Sequence, residues 1–176
     1  MKFCFNRSQK SISKAFTACS TVKYPRPKTC STKGRRIKSR RRSKLKNAVL
    51  DSFAVLAFLF KDDGHQIILD LFEKAIEADQ PLLIAAPNWA EVRYIVERKV
   101  GGEKWKEARS KLLGLPIEIV AADRELSESA GEIKVQHKMS LADCFAAALA
   151  KQTKSELYTG DPEFRSIESE VKVIWL

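Results

Sequence analysis

Two acidic side chains directly follow segments that read as buried strands. Asp51 ends the apolar run at residues 48–50, and Asp161 lies two residues after the run at 156–159. A carboxylate in such a place can bind a cation or orient a water molecule, or it can simply begin a turn. If the two strands are parallel, their carboxyl ends share one edge of the sheet, so Asp51 and Asp161 should lie close together.

Two further acids occupy the first turns of predicted helices. Glu91 and Asp143 each follow a plausible N-cap residue, Asn88 and Ser140, by three positions. This spacing is that of a capping box, in which the acid hydrogen-bonds back to the cap amide and favours the positive end of the helix. Taken alone, Glu91 is best explained as such a cap.

Asp143 is harder to explain as a cap alone, because its helix, SLADCFAAALA at residues 140–150, is apolar on nearly every side. Leu141, Cys144 and Phe145 lie on one face, while alanines make the opposite face small and apolar. We therefore expect this helix to be covered on both sides. A charge in such a helix has a desolvation cost, which indicates a second role for Asp143.

The four acids together predict a cation site. Carboxylates crowded at one edge raise one another's pKa, and burying them without a cation should cost several kcal/mol. Mg²⁺ or Mn²⁺ would reverse that cost, since these ions prefer oxygen ligands and need only one or two direct carboxylates, with waters serving the others. Such sites commonly serve phosphoryl transfer by in-line displacement.

The elements that must position these acids alternate along the chain. Short apolar runs predict strands at residues 48–50, 82–85, 117–120, 156–159 and 171–175, with helices between them, at 52–60, about 67–76, from 88 onward, about 103–113, 123–136 and 140–150. Ser52 and Asn88 are the expected caps of the first and third helices. Strands separated by helices indicate a three-layer α/β/α fold with a central, mostly parallel sheet.

The charge is distributed very unevenly between the two ends of the chain. Of 32 Lys and Arg, sixteen lie in residues 1–47, where there is no Asp or Glu, while residues 48–176 carry a net charge of −6. We predict a disordered basic extension at residues 1–46 and a folded domain at 47–176. The extension could be an RNA-binding arm, an organelle transit peptide, or an inert segment upstream of the true start, and the last reading is slightly favoured.

Several classes of protein are disfavoured by what the sequence lacks. The longest apolar segment of the domain, residues 53–60, is too short to span a membrane. No CxxC pair occurs, and the isolated Cys144 indicates a reducing compartment such as the cytoplasm. There is no GxxxxGK[ST] phosphate loop, and position 53 is Phe, where a haloacid-dehalogenase-like phosphatase would have a second Asp.

Four motifs in order resemble those of the PIN domain, specifically the VapC-type toxins of prokaryotic toxin–antitoxin pairs. They are AVLDS at 48–52, NWAEV at 88–92, SLADCFAAA at 140–148 and YTGDPEF at 158–164. The resemblance implies a metal-dependent endoribonuclease whose acidic quartet around Mg²⁺ or Mn²⁺ is Asp51, Glu91, Asp143 and Asp161. Asp51 and Asp143 would hold the metal most directly.

The same resemblance implies further features of the site and its partners. Ser52 occupies a position usually filled by Ser or Thr beside the acids, and Thr159 is expected there as well. The implied substrate is structured RNA, and the implied partners are a small antitoxin protein and a second copy of the chain. The long basic extension departs from the family pattern, which usually begins a few residues before the first Asp.

Two alternatives to an enzyme remain open at this point. The chain could be a non-catalytic RNA-binding protein whose affinity comes from the basic extension, with a structural or inactive acidic edge. It could also be a component of a larger complex in which the domain makes only protein contacts.

Overall fold

A single parallel sheet organises the part of the chain that the computed structural model describes, residues 46–176. Five strands lie in the order β3-β2-β1-β4-β5, and every neighbouring pair is parallel. The strands are β1 (Ala48–Leu50), β2 (Leu82–Ala85), β3 (Ile117–Val120), β4 (Glu156–Thr159) and β5 (Val173–Trp175). The predicted basic extension at residues 1–46 lies outside the described residues, apart from Lys46.

Six α-helices and one 3₁₀ helix connect these strands within residues 46–176. They are α1 (Ser52–Phe60), α2 (His65–Ala78), α3 (Ala86–Val100), α4 (Gly102–Leu112), α5 (Arg124–Gln136), α6 (Leu141–Thr153) and the 3₁₀ helix Pro162–Ile167. Parallel strands need crossover connections of this kind, because the chain must return to the same end of the sheet. The predicted α/β fold with a central parallel sheet is confirmed.

The core lies on both faces of the sheet because successive side chains of a strand point to opposite sides. Val49 and Leu157 pack in a cluster with α5 and α6, while Leu50 is buried outside that cluster and α1 and α3 also contact the strands. Every residue of α6 from Asp143 to Ala150 is buried. The prediction that this helix is covered on both sides is therefore confirmed.

One predicted helix cap, one helix start and one strand start differ from the structure for reasons that are local. Asp51, and not Ser52, is the N-cap of α1, since its side chain accepts a hydrogen bond from the Ser52 amide. α3 begins at Ala86 and not after Asn88, because a proline in the first turn has a backbone angle that suits a helix start. β5 begins two residues later than predicted, because the Val171 amide still donates to Ile167 at the end of the 3₁₀ helix.

Among residues 46–176, no helix is both long enough and sufficiently apolar to cross a membrane.

Candidate active site

The order of the strands places the predicted site residues at one edge of the sheet. The chain moves outward from β1 to β2 and β3, then returns to the other side of β1 to form β4 and β5. The carboxyl ends of β1 and β4 therefore flank the point where the direction of winding reverses, which is where open α/β sheets place their sites. Asp51 follows β1, and Thr159 and Asp161 lie at the end of β4.

Asp51 is buried and held by donors on both oxygens of its carboxylate. Its Oδ1 accepts from the Ser52 amide at 2.5 Å and from Asn88 Nδ2 at 3.2 Å, and its Oδ2 accepts from the Thr159 hydroxyl at 2.8 Å. Burial raises the pKa of Asp51 from 3.8 to about 6, although the hydrogen bonds from Thr159 and Ser52 oppose that shift. The carboxyl is thus fixed in position but retains part of the cost of its burial.

Ser52 connects Asp51 to Glu91 in the second turn of α3. The Ser52 hydroxyl lies 2.7 Å from Glu91 Oε2 and 3.0 Å from Asp51 Oδ1. A serine hydroxyl has a single proton to donate, so it satisfies only one of the two carboxylates at a time. A proton on one carboxyl, or a cation between the groups, would relieve the remaining contact between two acceptors.

Asp143 lies in the first turn of α6 with a carboxylate that the helix does not need for its own cap. Ser140 is the N-cap, and its hydroxyl oxygen accepts from the Asp143 amide at 3.1 Å. The reciprocal bond, from the Ser140 amide, goes to Glu163 Oε2 at 2.8 Å and not to Asp143. Glu163, twenty-three residues away, therefore fills the place that a capping box would give to Asp143.

The pKa of Asp143 is raised by burial and by the other acids around it. Burial, and then the negative charge of Asp51, raise the pKa of Asp143 from 3.8 to about 7, and Asp161 and Glu91 raise it further. Only a hydrogen bond with Ser140 acts in the opposite direction. Since Asp143 is only 5% exposed, it is a poorly hydrated carboxyl surrounded by three like charges.

The turn after β4 holds Asp161 at the same edge. The Asp161 amide donates to the Thr159 hydroxyl oxygen at 3.0 Å, while Asp161 Oδ1 accepts from the Glu163 amide at 2.9 Å and caps the 3₁₀ helix. Thr159 thereby connects Asp51 to the Asp161 turn. The turn passes closely over Phe53, because a Cβ added to Gly160 would lie 2.4 Å from the Phe53 ring.

The structure therefore brings the four predicted acids, with Ser52 and Thr159, into one connected region. Two further residues at this edge were not predicted to act there. Asn88 was interpreted as a helix cap, but it lies inside the first turn of α3, after the neighbouring strand β2, and contacts Asp51 from there. Tyr94 donates to Glu91 Oε1 at 3.0 Å; only its position three residues after Glu91, on the same helix face, could have indicated it.

The pKa of the Tyr94 hydroxyl also depends on the acids of this edge. Burial raises the pKa of the Tyr94 hydroxyl above its ordinary value, and the hydrogen bond to Glu91 raises it further. Asp143 contributes in the same direction, and Arg98 acts in the opposite one. Tyr94 therefore lies within electrostatic range of both α6 and the next turn of α3.

The donor set at this edge suits a hard cation in its chemistry. Buried carboxylates with raised pKa values gain most from a nearby positive charge. Asn88 Oδ1 is buried and has no hydrogen-bond partner among the described residues, which is an oxygen acceptor that a hydrated cation can satisfy. Within residues 46–176, however, no three His, Cys, Asp or Glu side chains come together as a preformed ligand cluster.

The comparison with known families agrees with the motifs of the sequence. The PIN domain family model matches residues 48–170, so this chain belongs to the PIN domain family. That match falls within the predicted domain at 47–176. A search of curated protein sequences gives no significant match.

Several solved structures of bacterial proteins share this fold. The VapC20 toxin of Mycobacterium tuberculosis, described as cleaving the sarcin–ricin loop, is 18% identical with a TM-score of 0.56 over 68% of this chain and 94% of its own. VapBC2 from Rickettsia felis, bound to a promoter DNA fragment, is 18% identical with a TM-score of 0.58 over 72% and 96%. FitAcB from Neisseria gonorrhoeae is 20% identical with a TM-score of 0.53 over 72% and 96%. At these identities the similarity establishes the fold.

Proposed function

We propose that this chain is a metal-dependent endoribonuclease and the toxin of a toxin–antitoxin pair. The observation that carries the proposal is the pair of buried carboxyls with raised pKa values, Asp51 and Asp143, at the strand-order reversal of a PIN-family sheet. An acidic edge of this kind is poorly suited to hold RNA phosphates by itself. It is well suited to hold a cation that faces them.

The four acids have two kinds of role in the proposed site. Asp51 and Asp143 would hold Mg²⁺ or Mn²⁺ most directly, and Glu91 and Asp161 would orient the waters around it. When bound, such an ion activates water and stabilises the attacking and leaving oxygens of an in-line displacement at phosphorus. The chain itself holds the Asp51 carboxylate in position. Ser52, Asn88 and Thr159 all donate hydrogen bonds to it.

The proposed partners follow from the same comparison. One structure with this fold is described as a toxin–antitoxin complex, from Klebsiella pneumoniae. We extend that association to this chain, with a small antitoxin protein that covers the acidic edge and with a homodimer as the assembled form. RNA as the substrate and the cytoplasm as the place of action belong to this proposal.

RNA cleavage by the full chain tests the proposed activity. Labelled total RNA is incubated with the protein in Mg²⁺, in Mn²⁺ and in excess EDTA, alongside Asp143→Asn and Glu156→Gln. Glu156 is the matched control because it is a carboxylate at the opposite end of β4, paired with Lys46 and Lys172. We expect cleavage that needs the metal, that Asp143→Asn lowers by at least about tenfold, and that Glu156→Gln leaves unchanged.

Two outcomes would reject the nuclease assignment. Cleavage by Asp143→Asn at the parent rate would remove the acid from the chemistry. An absence of cleavage, from a chain that binds RNA with a steep dependence on salt, would favour the non-catalytic RNA-binding protein, with the basic residues of 1–47 as the source of affinity.

A further inference from the structure

Helix α3 presents a stripe of three side chains that begins at the candidate active site. Glu91, Tyr94 and Arg98 follow one another at spacings of three and four residues, which places them on one face of the helix. Glu91 contacts the Ser52 hydroxyl, so the first member of the stripe belongs to the acidic edge. Arg98 lies about 10 Å further along the helix axis, at a rise of 1.5 Å per residue.

Tyr94 is an exposed aromatic ring with a fixed direction. It is 46% exposed, whereas a tyrosine in a core would be covered. Its hydroxyl is nevertheless anchored, since it donates to Glu91 Oε1 at 3.0 Å. A ring that is held at its polar end loses less conformational entropy when a flat group stacks on it than a freely rotating ring would.

The charges beside Tyr94 favour a ligand with separate aromatic and anionic parts. Along α3, Glu91 lies one turn before Tyr94 and the exposed Arg98 one turn after it, and the charge of Asp143 also acts on the Tyr94 hydroxyl. A free phosphate would be repelled at the acidic end of this stripe and attracted at the Arg98 end. A nucleotide strand can place a base on the ring, a phosphate at Arg98 and the adjoining backbone toward the acidic edge. A small anion or an apolar peptide would use only one of these features.

We propose that Tyr94 is a base-stacking residue that positions single-stranded RNA beside the acidic edge, and that Arg98 binds a phosphate of the same strand. This inference rests on the proposed nuclease function and names how its substrate is held. The ring recognises an unpaired nucleobase, because bases inside a duplex have no free face to offer. Tyr94 contacts the substrate directly, and its bond to Glu91 sets the orientation of the ring.

The test measures stacking without requiring cleavage. The probe is a short single-stranded RNA of mixed sequence that carries 2-aminopurine, whose fluorescence falls when it stacks, at each position in turn. It is titrated with the full chain carrying Asp143→Asn, in Mg²⁺, at several salt concentrations. The compared variants are Tyr94→Ala, Tyr94→Phe and Arg98→Ala, with Leu113→Ala and Arg109→Ala as controls.

The controls match the tested residues in exposure but not in place. Leu113 is 47% exposed, close to the value for Tyr94, and Arg109 is exposed like Arg98. Both lie at the carboxyl end of α4, just before β3 begins, and hence at the opposite edge of the sheet. Basic residues in 1–47 are common to every variant, so their contribution cancels in the comparison.

We expect the parent to quench the probe strongly at one position and Tyr94→Ala to lose that quenching. Tyr94→Phe should keep the quenching at saturation with a smaller loss of affinity than Tyr94→Ala, because its ring can stack but is no longer anchored to Glu91. The affinity of Tyr94→Ala should fall by about 5- to 150-fold at every salt concentration, the equivalent of one base–aromatic stack. Arg98→Ala should keep the quenching at saturation but lower the slope of affinity against salt by about 0.7. The two controls should match the parent.

Three results would overturn the inference. Unchanged quenching in Tyr94→Ala would show that no base stacks there. A loss in Tyr94→Phe equal to that in Tyr94→Ala would assign the role to the hydroxyl, acting through Glu91. An effect of Leu113→Ala as large as that of Tyr94→Ala would show that binding is not local to the stripe. Because cleavage plays no part, quenching that depends on Tyr94 in a chain whose parent cuts no RNA would reject the nuclease and retain the binding site.

Discussion

Asp51 and Glu156 lie at opposite ends of two neighbouring strands, β1 and β4, and their surroundings have opposite electrostatic effects. Lys172 and Lys46 lie 2.6 Å and 3.1 Å from Glu156 Oε1, and their hydrogen bonds lower the pKa of Glu156. Burial raises the pKa of Asp51, and the charge of Glu91 adds to that effect. The chain neutralises its acid at the amino end of the sheet with its own lysines, whereas the acids at the carboxyl end surround one another.

This difference in pKa distinguishes a carboxylate that stabilises the fold from carboxylates that do not. A carboxylate paired with lysines costs little to ionise and contributes modestly to stability. Buried carboxylates grouped with like charges make the fold less stable when ionised, so their retention needs another explanation. The proposed cation would provide that explanation at the carboxyl edge.

The largest expected effect is a pH-dependent gain in stability for Asp143→Asn. The folded-state pKa of Asp143 is about 7, above 3.8 in the unfolded chain, so the folded state binds more protons between these values and stability falls as pH rises through them. Removing the charge should stabilise the protein by on the order of 4 kcal/mol at pH 8 and hardly at all at pH 3.5. Urea unfolding in EDTA at a series of pH values measures this.

Adding Mg²⁺ gives a second comparison between the parent chain and Asp143→Asn. Added to the parent chain at pH 8, it should recover part of the lost stability, whereas Asp143→Asn should gain little. A parent whose unfolding free energy is flat from pH 4 to 8 would contradict the assigned pKa shifts.

Thr159→Val should have the next largest effect, because it removes one hydroxyl that serves two groups. Asp51 Oδ2 would lose a donor and the Asp161 amide an acceptor, at a cost of about 1–3 kcal/mol in the free energy of unfolding. RNA cleavage should fall by roughly 10- to 100-fold, as when a residue that orients a metal ligand is removed.

Thr153→Val provides the control for that substitution. The Thr153 hydroxyl also donates a hydrogen bond, to Leu149, but at the end of α6 that lies away from the acids. It should affect stability without affecting cleavage. Equal losses of cleavage in the two valine variants would remove any special role for Thr159.

Gly160→Ala should have a smaller effect through packing alone. The new methyl group would lie 2.4 Å from the Phe53 ring, so the ring or the turn that holds Asp161 must move. We expect a loss of about 1–3 kcal/mol in unfolding free energy, with lower cleavage. Adding Phe53→Leu should restore part of the lost stability and part of the lost cleavage. Gly102→Ala should be nearly neutral, because a Cβ at that position would have no neighbouring atom within 4 Å.

Glu156→Gln should have the smallest effect and the opposite pH dependence. Its lowered pKa means that Glu156 stabilises the fold above its unfolded-state pKa, and that this contribution is lost as pH falls through the folded-state pKa. Because its lysine partners are exposed, the loss at pH 7 should be below about 1 kcal/mol. Unfolding curves at pH 3.5 and 7 measure it, and a rise in stability at pH 7 would contradict the comparison.

The sequence predicts the sheet better than it predicts the helix starts. β1 to β4 lie where the short apolar runs placed them, because a buried strand is marked by its own residues. The cap of α1 and the start of α3 were misplaced, since several neighbouring residues are suitable near a helix start, namely Asp51, Ser52, Pro87 and Asn88. The choice among them depends on where the preceding strand ends.

The contacts that define the site depend on residues far apart in the chain. The sequence leaves a capping role for Asp143 open, whereas in the structure Glu163 accepts from the Ser140 amide in its place. The hydrogen bond from Asn88 to Asp51 joins the segments that follow two adjacent strands, so local spacing gives no sign of it. Helical spacing does place Tyr94 beside Glu91, and that was the one missed contact that the sequence could have indicated.

The central claim is that the carboxyl edge is completed by a divalent cation, and calorimetric titration with Mn²⁺ tests it directly. The full parent chain is compared with Asp143→Asn and Glu156→Gln at pH 6 and pH 8, in buffers of different ionisation enthalpy. We predict saturable binding that Asp143→Asn weakens by at least about tenfold and Glu156→Gln leaves unchanged. More protons should be released at pH 6 than at pH 8, because Asp51 and Asp143 are partly protonated at pH 6. Binding that is absent, or equal in the parent and Asp143→Asn, would contradict the account.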